Sequence, residues 1–245
     1  MKNMSNEIII LAGTAATIGF IHTVLGPDHY LPFIVLSKAR KWTITKTVVI
    51  TFLCGLGHIL SSIILGFIGV ALGIAVFKLE AIESSRGDIA AWFLIAFGLT
   101  YFIWGIHRAV RMRHHEHPHP HKDGEIHSHG HEHISSHSHI HTSKSSNVTS
   151  WSSLTPWVLF TIFVFGPCEP LIPLIMYPAA MHNMTSVAIV ASIFGVTTIS
   201  TMLGIVLASS YGLSKLPVSR IEKYSHALAG LAILLCGGAI KFLGL

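Results

Sequence analysis

Charged residues and cysteines are scarce in this chain. Asp, Glu, Lys and Arg make up only 11% of its 245 residues, whereas a typical soluble domain carries roughly a quarter. The three cysteines, Cys54, Cys168 and Cys236, all lie inside apolar runs, which excludes the disulfide framework of a small secreted protein. The chain has no phosphate-binding loop and no interleaved basic and aromatic residues, so we expect neither ATP hydrolysis nor a nucleic-acid partner.

Long apolar runs dominate what is present. Hydrophobic residues make up 51% of the chain, and a membrane helix needs about 20 consecutive, mainly apolar residues. We therefore predict an all-α polytopic membrane protein with about six transmembrane helices and the lipid bilayer as its surroundings. The predicted runs are residues 7–25, 47–77, 89–106, 154–181, 186–211 and 226–245.

Two of these helices are interrupted at related positions. Gly26-Pro27-Asp28-His29 breaks the first helix, and Gly166-Pro167-Cys168-Glu169 breaks the fourth. Three helices separate the copies, and an odd number of helices per repeat reverses the second copy in the membrane. We predict a 3+3 inverted repeat with broken first and fourth helices. Its parts are a first repeat at 1–107, a polar loop at 108–150 and a second repeat at 151–245.

The distribution of positive charge predicts the orientation. With six helices, twelve of the 16 Lys and Arg residues fall on the side that carries the loop at 108–150. The positive-inside rule then places this loop in the cytoplasm and both termini outside the cytoplasmic (inner) membrane.

Polar residues cluster at the two breaks. A proline inside a helix frees backbone carbonyls, which must be satisfied in lipid by a cavity, a partner helix or an ion. The candidate metal ligands are His22, Asp28, His29, His58, Cys168 and Glu169. This mixture of imidazole, carboxylate and thiol suits nickel, cobalt, zinc or iron(II) and suits magnesium or calcium poorly.

Each candidate also has a plainer interpretation. His22 and His29 would lie about 10 Å apart on an unbroken helix, and the Gly26-Pro27 break can bring them together. His58 either binds metal or packs in a small-residue stripe with a hydrogen bond to a neighbouring helix. Cys168 either binds metal or is a small buried apolar residue.

The loop between the halves is rich in histidine. Residues 114–141 contain 12 histidines in 28 positions, and such a tract cannot form a packed core, so we predict disorder and metal binding there. The candidate loop ligands are His114, His115, His117, His119, His121, His127, His129, His131, His133, His137, His139 and His141.

The segment from His22 to His29, with Leu56-Gly57-His58 in the next helix, resembles the nickel/cobalt transporter family and its urease-accessory-type transmembrane relatives. Five residues separate His22 from Asp28 where the permease pattern has four, which favours the urease-accessory-type branch. The resemblance implies a non-enzymatic transporter with a divalent metal, nickel or cobalt, as its substrate. It places metal contacts at His22, Asp28, His29 and His58. A homo-oligomer or a cytoplasmic metallochaperone would be its partner.

Two other interpretations rank behind this one. Gly166-Pro167-Cys168 resembles the motif of transmembrane thiol-disulfide electron carriers, which need one cysteine at the break in each half. Asp28 stands at the matching first-half position, so that chemistry lacks its second thiol. Export of a small anion such as sulfite would predict Arg or Lys at the breaks, and there is none there.

Overall fold

The structure, a computed structural model, describes residues 2–111, 116–120, 126–130, 151–181, 183–214 and 222–244. Eight α-helices and two short strands occur in these ranges. The helices are α1 (Lys2–Leu25), α2 (Leu31–Ala39), α3 (Ile44–Ala71), α4 (Val76–Arg111), α5 (Trp151–Phe165), α6 (Leu171–Ala180), α7 (Met184–Ser214) and α8 (Ser225–Leu243). Short 3-10 turns at Pro27–His29 and Glu222–Tyr224 precede α2 and α8.

Five helices of the described ranges are long and apolar enough to cross a bilayer. They occupy Asn6–Leu25, Ile44–Ala71, Val76–Arg111, Met184–Leu213 and Glu222–Leu243. The chain is thus an integral membrane protein, and the predicted all-helical architecture is confirmed. The predicted count of about six differs, because the fourth predicted helix, 154–181, forms two short helices, α5 and α6. Pro167 and Pro170 lie between them and have no backbone N–H to donate.

Helix α4 begins at Val76 rather than near residue 89. The charged residues of its first turns obscure this start in the sequence, because they interrupt the apolar run. Gly73 makes the turn before it, with a φ of 63°, and Ile74 N–H donates to Gly69 O at 2.8 Å. A glycine is favoured where the residue that ends a helix adopts a left-handed backbone conformation.

The helices pack in pairs. Helix α4 runs along α8, α1 along α7, and α3 along α5. Gly98, Gly105 and Gly230 lie where α4 and α8 meet, and each faces the backbone of the opposite helix. Small residues allow this close approach inside a membrane.

Two clusters of buried apolar side chains form the core. One contains Phe33, Leu159 and Ile233, and the other contains Leu171 and Phe194. Many large apolar side chains point outward instead, among them Ile9, Leu25, Trp157, Leu235 and Phe242. An apolar outer surface is what lipid contact requires, since hydrocarbon replaces water around the helices.

The histidine-rich loop contains a short antiparallel pair of strands, β1 (Glu116–Pro120) and β2 (Ile126–Gly130). Their register pairs His117 with His129 and His119 with His127. The sequence predicts no regular structure here, whereas backbone hydrogen bonds pair the two strands. Eight predicted loop ligands lie outside the described residues: His114, His115, His121, His131, His133, His137, His139 and His141.

Candidate functional site

The first helix break is built by Gly26 and Pro27. Helix α1 ends at Leu25, and Pro27–His29 forms a 3-10 turn before α2 begins. The Tyr30 hydroxyl donates to Val24 O at 3.2 Å, which satisfies a carbonyl near the end of α1. A Cβ atom at Gly26 would lie 2.6 Å from His29 Nδ1, so only glycine leaves room for this imidazole.

The second break is held by side chains of two other helices. His58 Nδ1 on α3 lies 3.3 Å from Phe163 O, the carbonyl four residues before Pro167. Arg86 Nη2 on α4 donates to Val164 O at 2.8 Å. The carbonyls before the proline therefore find donors within the protein, as lipid requires.

A buried pair of opposite charges supports this break. The Glu83 side chain is 0% exposed and forms an ion pair with Arg86. Glu83 Oε2 accepts from Ser62 Oγ at 3.2 Å and from the Cys168 N–H at 3.0 Å. The Cys168 N–H also lies 3.3 Å from Ser62 Oγ. The backbone of the break is thus tied to α3 and α4 together.

Sequence reasoning missed Glu83. The predicted helices end at residue 77 and begin again at 89, so Glu83 and Arg86 fell in the loop between them. Arg86 was counted only among the positive charges that predict the orientation. The available signal was the spacing, since an acid three residues before a base on one helix face can pair.

Three histidines meet at the first break. The rings of His22 and His29 have centroids 4.7 Å apart, and those of His29 and His58 are 5.0 Å apart. One ring nitrogen from each residue lies within 4.8 Å of the other two. His29 and His58 are each only 3% exposed. The break thus places side by side two histidines that a straight α1 would separate.

The remaining predicted ligands lie around this cluster rather than in it. Asp28 Oδ1 is 3.0 Å from His29 Nδ1, so the carboxylate contacts an imidazole. Glu169 lines a cavity of about 750 Å³ that also reaches His22, Asp28, His29 and His58. Cys168 is fully buried and does not line the cavity, although Pro167 and Glu169 on either side of it do.

Comparison with known proteins identifies the family. A family model described as "Cytochrome C biogenesis protein transmembrane region" matches residues 31–239, which is most of the chain. The chain belongs to this family. No curated protein and no solved structure matches it.

Membership of the cytochrome c biogenesis family corrects the first interpretation. The predicted relationship to the nickel/cobalt transporter family is wrong, and so is the predicted function of nickel or cobalt transport. The misleading motif, His22 to His29, lies before the matched residues. A short motif reports the chemistry of a few side chains, whereas the family match extends over residues 31–239.

The cytochrome c biogenesis family agrees with the interpretation ranked second, a transmembrane thiol-disulfide electron carrier. All three cysteines of this chain are free and buried. Cys54 and Cys236 belong to one hydrophobic cluster and Cys168 to the other.

Cys54 cannot be the second thiol in this arrangement. The Cys168 backbone contacts Ser62 on α3, and Cys54 lies eight residues earlier on that helix, about 12 Å along its axis. A disulfide needs Cα atoms within about 7 Å. Cys168 therefore stands as a single thiol at the second break.

Proposed function

We propose that this protein carries reducing equivalents across the membrane by thiol-disulfide exchange at Cys168. The observation that carries the proposal is the position of Cys168: it is the one cysteine at a helix break, inside a membrane domain of the cytochrome c biogenesis family. Its neighbours Pro167 and Glu169 line the central cavity. A small movement of the break would turn its thiol toward that cavity.

Carriers with two cysteines store the electron pair as their own disulfide, and this chain lacks the second cysteine for that step; with one thiol, the pair passes only through mixed disulfides with the exchange partners. The Cys168 thiolate attacks the disulfide of an acceptor protein, forming a mixed disulfide and freeing one acceptor thiol. A thiol of a reduced donor then attacks the Cys168 sulfur, which frees the second acceptor thiol. The donor's other thiol attacks the donor sulfur of this second mixed disulfide and releases Cys168. The donor becomes a disulfide, the acceptor becomes a dithiol, and two electrons and two protons have passed.

The exchange partners must reach Cys168 from opposite sides. In the described conformation the Cys168 side chain is 0% exposed, and its N–H is held by Glu83. The exchange therefore requires the second break to move away from α4. The donor attacks the Cys168 sulfur while the acceptor is still bound to it, so this sulfur must be reachable from both sides of the membrane in that step.

The packing of the helices supports a 3+3 inverted repeat as part of the proposal. In such a repeat α1 corresponds to α5, α2 to α6, α3 to α7 and α4 to α8. Each contact between two helices should then recur between their two counterparts. Helix α1 packs on α7 as α5 packs on α3, and α2 packs on α7 as α6 packs on α3. Helix α4 packs on its own counterpart, α8. A two-fold relationship in the membrane plane would produce this pattern.

We also propose an orientation. With α5 and α6 together taken as a sixth crossing beside the five long helices, both termini lie on one side. The excess of Lys and Arg on the side of the 108–150 loop then supports a cytoplasmic loop and external termini in the inner membrane. The donor would then be a cytoplasmic dithiol protein and the acceptor a disulfide protein outside.

Electron transfer into sealed liposomes tests the proposed function. The liposomes contain the protein and enclose a peptide whose disulfide quenches a fluorophore. A reduced dithiol protein, which cannot cross lipid, is added outside. We expect fluorescence to rise with the intact chain and with Cys54→Ser and Cys236→Ser, which remove buried thiols elsewhere. We expect Cys168→Ser to give the rate of protein-free liposomes. No transfer by the intact chain, or full transfer by Cys168→Ser, would overturn the proposal.

A further inference from the structure

Three imidazoles converge at the first helix break without a protein partner at their meeting point. The Nε2 atoms of His22, His29 and His58 are buried and have no hydrogen-bond partner. We propose that these three histidines bind one divalent transition-metal ion, held as a resident part of the protein. The site is separate from the Cys168 chemistry and stands whether or not that chemistry occurs.

The unpartnered nitrogens are the first argument. A buried polar atom without a hydrogen bond is destabilising, because it has lost water and gained no partner, and three such atoms lie together here. One ion accepts all three lone pairs at once. This arrangement accounts for three buried nitrogens that point into the same small volume.

The second argument comes from the Nδ1 atoms of His29 and His58, on the side of each ring away from Nε2. His29 Nδ1 lies 3.0 Å from Asp28 Oδ1 and 3.1 Å from Gly26 O. His58 Nδ1 lies 3.3 Å from Phe163 O. All these partners are oxygens that accept a hydrogen bond, so Nδ1 carries the hydrogen and Nε2 carries the lone pair. Metal-binding histidines are usually oriented in this way by a carboxylate or a backbone carbonyl.

The distances fit an ion after small side-chain rotations. Nitrogens bound tetrahedrally to one metal at about 2.0–2.1 Å lie roughly 3.3 Å from one another. The ring nitrogens of this cluster lie within 4.8 Å of one another. Closing this gap moves each ring nitrogen by about 1 Å or less.

The donors define the class of ion. Three neutral imidazoles suit zinc, copper, nickel, cobalt or iron(II), whereas magnesium and calcium require oxygen ligands. A three-histidine site leaves a fourth position open. Here that position faces the cavity lined by Asp28 and Glu169. Cys168 is not a member of the ligand cluster among the described residues.

The ion would join the two breaks. His22 lies in the last turn of α1, His29 lies in the 3-10 turn, and His58 lies in the middle of α3. His58 in turn contacts Phe163 at the second break. Binding therefore ties the first break to α3 and, through His58, to the end of α5. His58 lies inside the residues that match the family model, whereas His22 and His29 precede them.

Zinc titration of the purified full-length protein tests the site. The loop histidines bind metal on their own, so all variants carry Gln at the twelve positions from His114 to His141. In this background we expect one tightly bound zinc per chain, a rise in unfolding temperature with zinc, and visible absorption of a tetrahedral site with cobalt(II) as a probe.

Variants of the cluster and a matched control complete the test. His22→Gln and His58→Gln should each weaken zinc binding at least 100-fold and abolish the thermal shift. His226→Gln is the control, because its imidazole bonds Tyr101 OH at 2.8 Å outside the cluster; it should bind zinc like the parent. His22→Gln alters a partly exposed side chain and keeps the test valid if His58→Gln fails to fold. Absence of zinc in the parent, or unchanged binding in His22→Gln, would overturn the site.

Discussion

The carboxylate of Glu83 accepts the backbone N–H of Cys168 at 3.0 Å. A buried acid on α4 thus holds the one cysteine that lies at a helix break. The same carboxylate pairs with Arg86, whose guanidinium donates to Val164 O. One ion pair therefore supports both sides of the Gly166-Pro167 interruption.

Replacing Glu83 should loosen the second break. Glu83→Ala leaves Arg86 without its partner and the Cys168 N–H without its carboxylate, and breaking a buried pair costs about 3–5 kcal/mol. Arg86 is 17% exposed, which favours the lower end. We expect a lower unfolding temperature and at least tenfold faster maleimide labelling of Cys168 in a chain that lacks the other two cysteines.

Glu80→Ala is the matched control for this change. Glu80 has the same side chain on the same helix but is exposed. Its removal should leave the labelling rate and unfolding temperature unchanged. Equal labelling of Cys168 in both variants would mean that Glu83 does not hold the break.

Gly26→Ala should destabilise the first break. The added Cβ would lie 2.6 Å from His29 Nδ1 and 2.9 Å from Asp28 Oδ1, and such overpacking typically costs about 1–3 kcal/mol. We expect a lower unfolding temperature, measured by circular dichroism in detergent. Gly13→Ala lies in α1, the helix that Gly26 follows; its added Cβ meets no atom within 4 Å, and it should be neutral or slightly stabilising. Equal unfolding temperatures of Gly26→Ala and Gly13→Ala would contradict the steric argument.

Gly230→Ala should disrupt the pairing of α4 with α8. The new methyl group would overlap the backbone of Phe102, which cannot move away as a side-chain tip can. We expect a loss of about 3 kcal/mol, the upper end for overpacking, measured as denaturant-induced unfolding in detergent. Gly238→Ala lies on the same helix in open space and should unfold like the parent. A Gly230→Ala variant of full stability would show that the two helices have room to separate.

Cys54 and Cys168 should not form a disulfide. Their separation of about two helical turns along α3 exceeds the reach of an S–S bond. After oxidation with copper phenanthroline, mass spectrometry of the digested protein should detect no peptide that joins them. A Cys54–Cys168 link at high yield would contradict the single-thiol mechanism and indicate a conformation in which the second break slides along α3.

The family could not be predicted from the motifs that carry the chemistry. The His22 to His29 segment and the Gly166-Pro167-Cys168 segment pointed to different families, and the second was ranked behind because its dithiol chemistry lacked a cysteine at the first break. The family model that matches residues 31–239 supports the interpretation from the Gly166-Pro167-Cys168 segment. Local chemistry is a weak guide to ancestry, since a few side chains can be acquired on any fold.

The sequence alone determined the membrane architecture and the positions of the two breaks. Lipid offers no hydrogen bonds, so apolar runs must become helices. The two Gly-Pro pairs stand where helices are interrupted, whereas Pro156 and Pro178 lie inside α5 and α6. Only the tertiary structure decided what meets at those breaks. His58 joins His22 and His29, and Glu83 reaches Cys168, because α3 and α4 pack beside the interrupted helices. Such contacts depend on how whole helices are arranged, and no local pattern of residues specifies that arrangement.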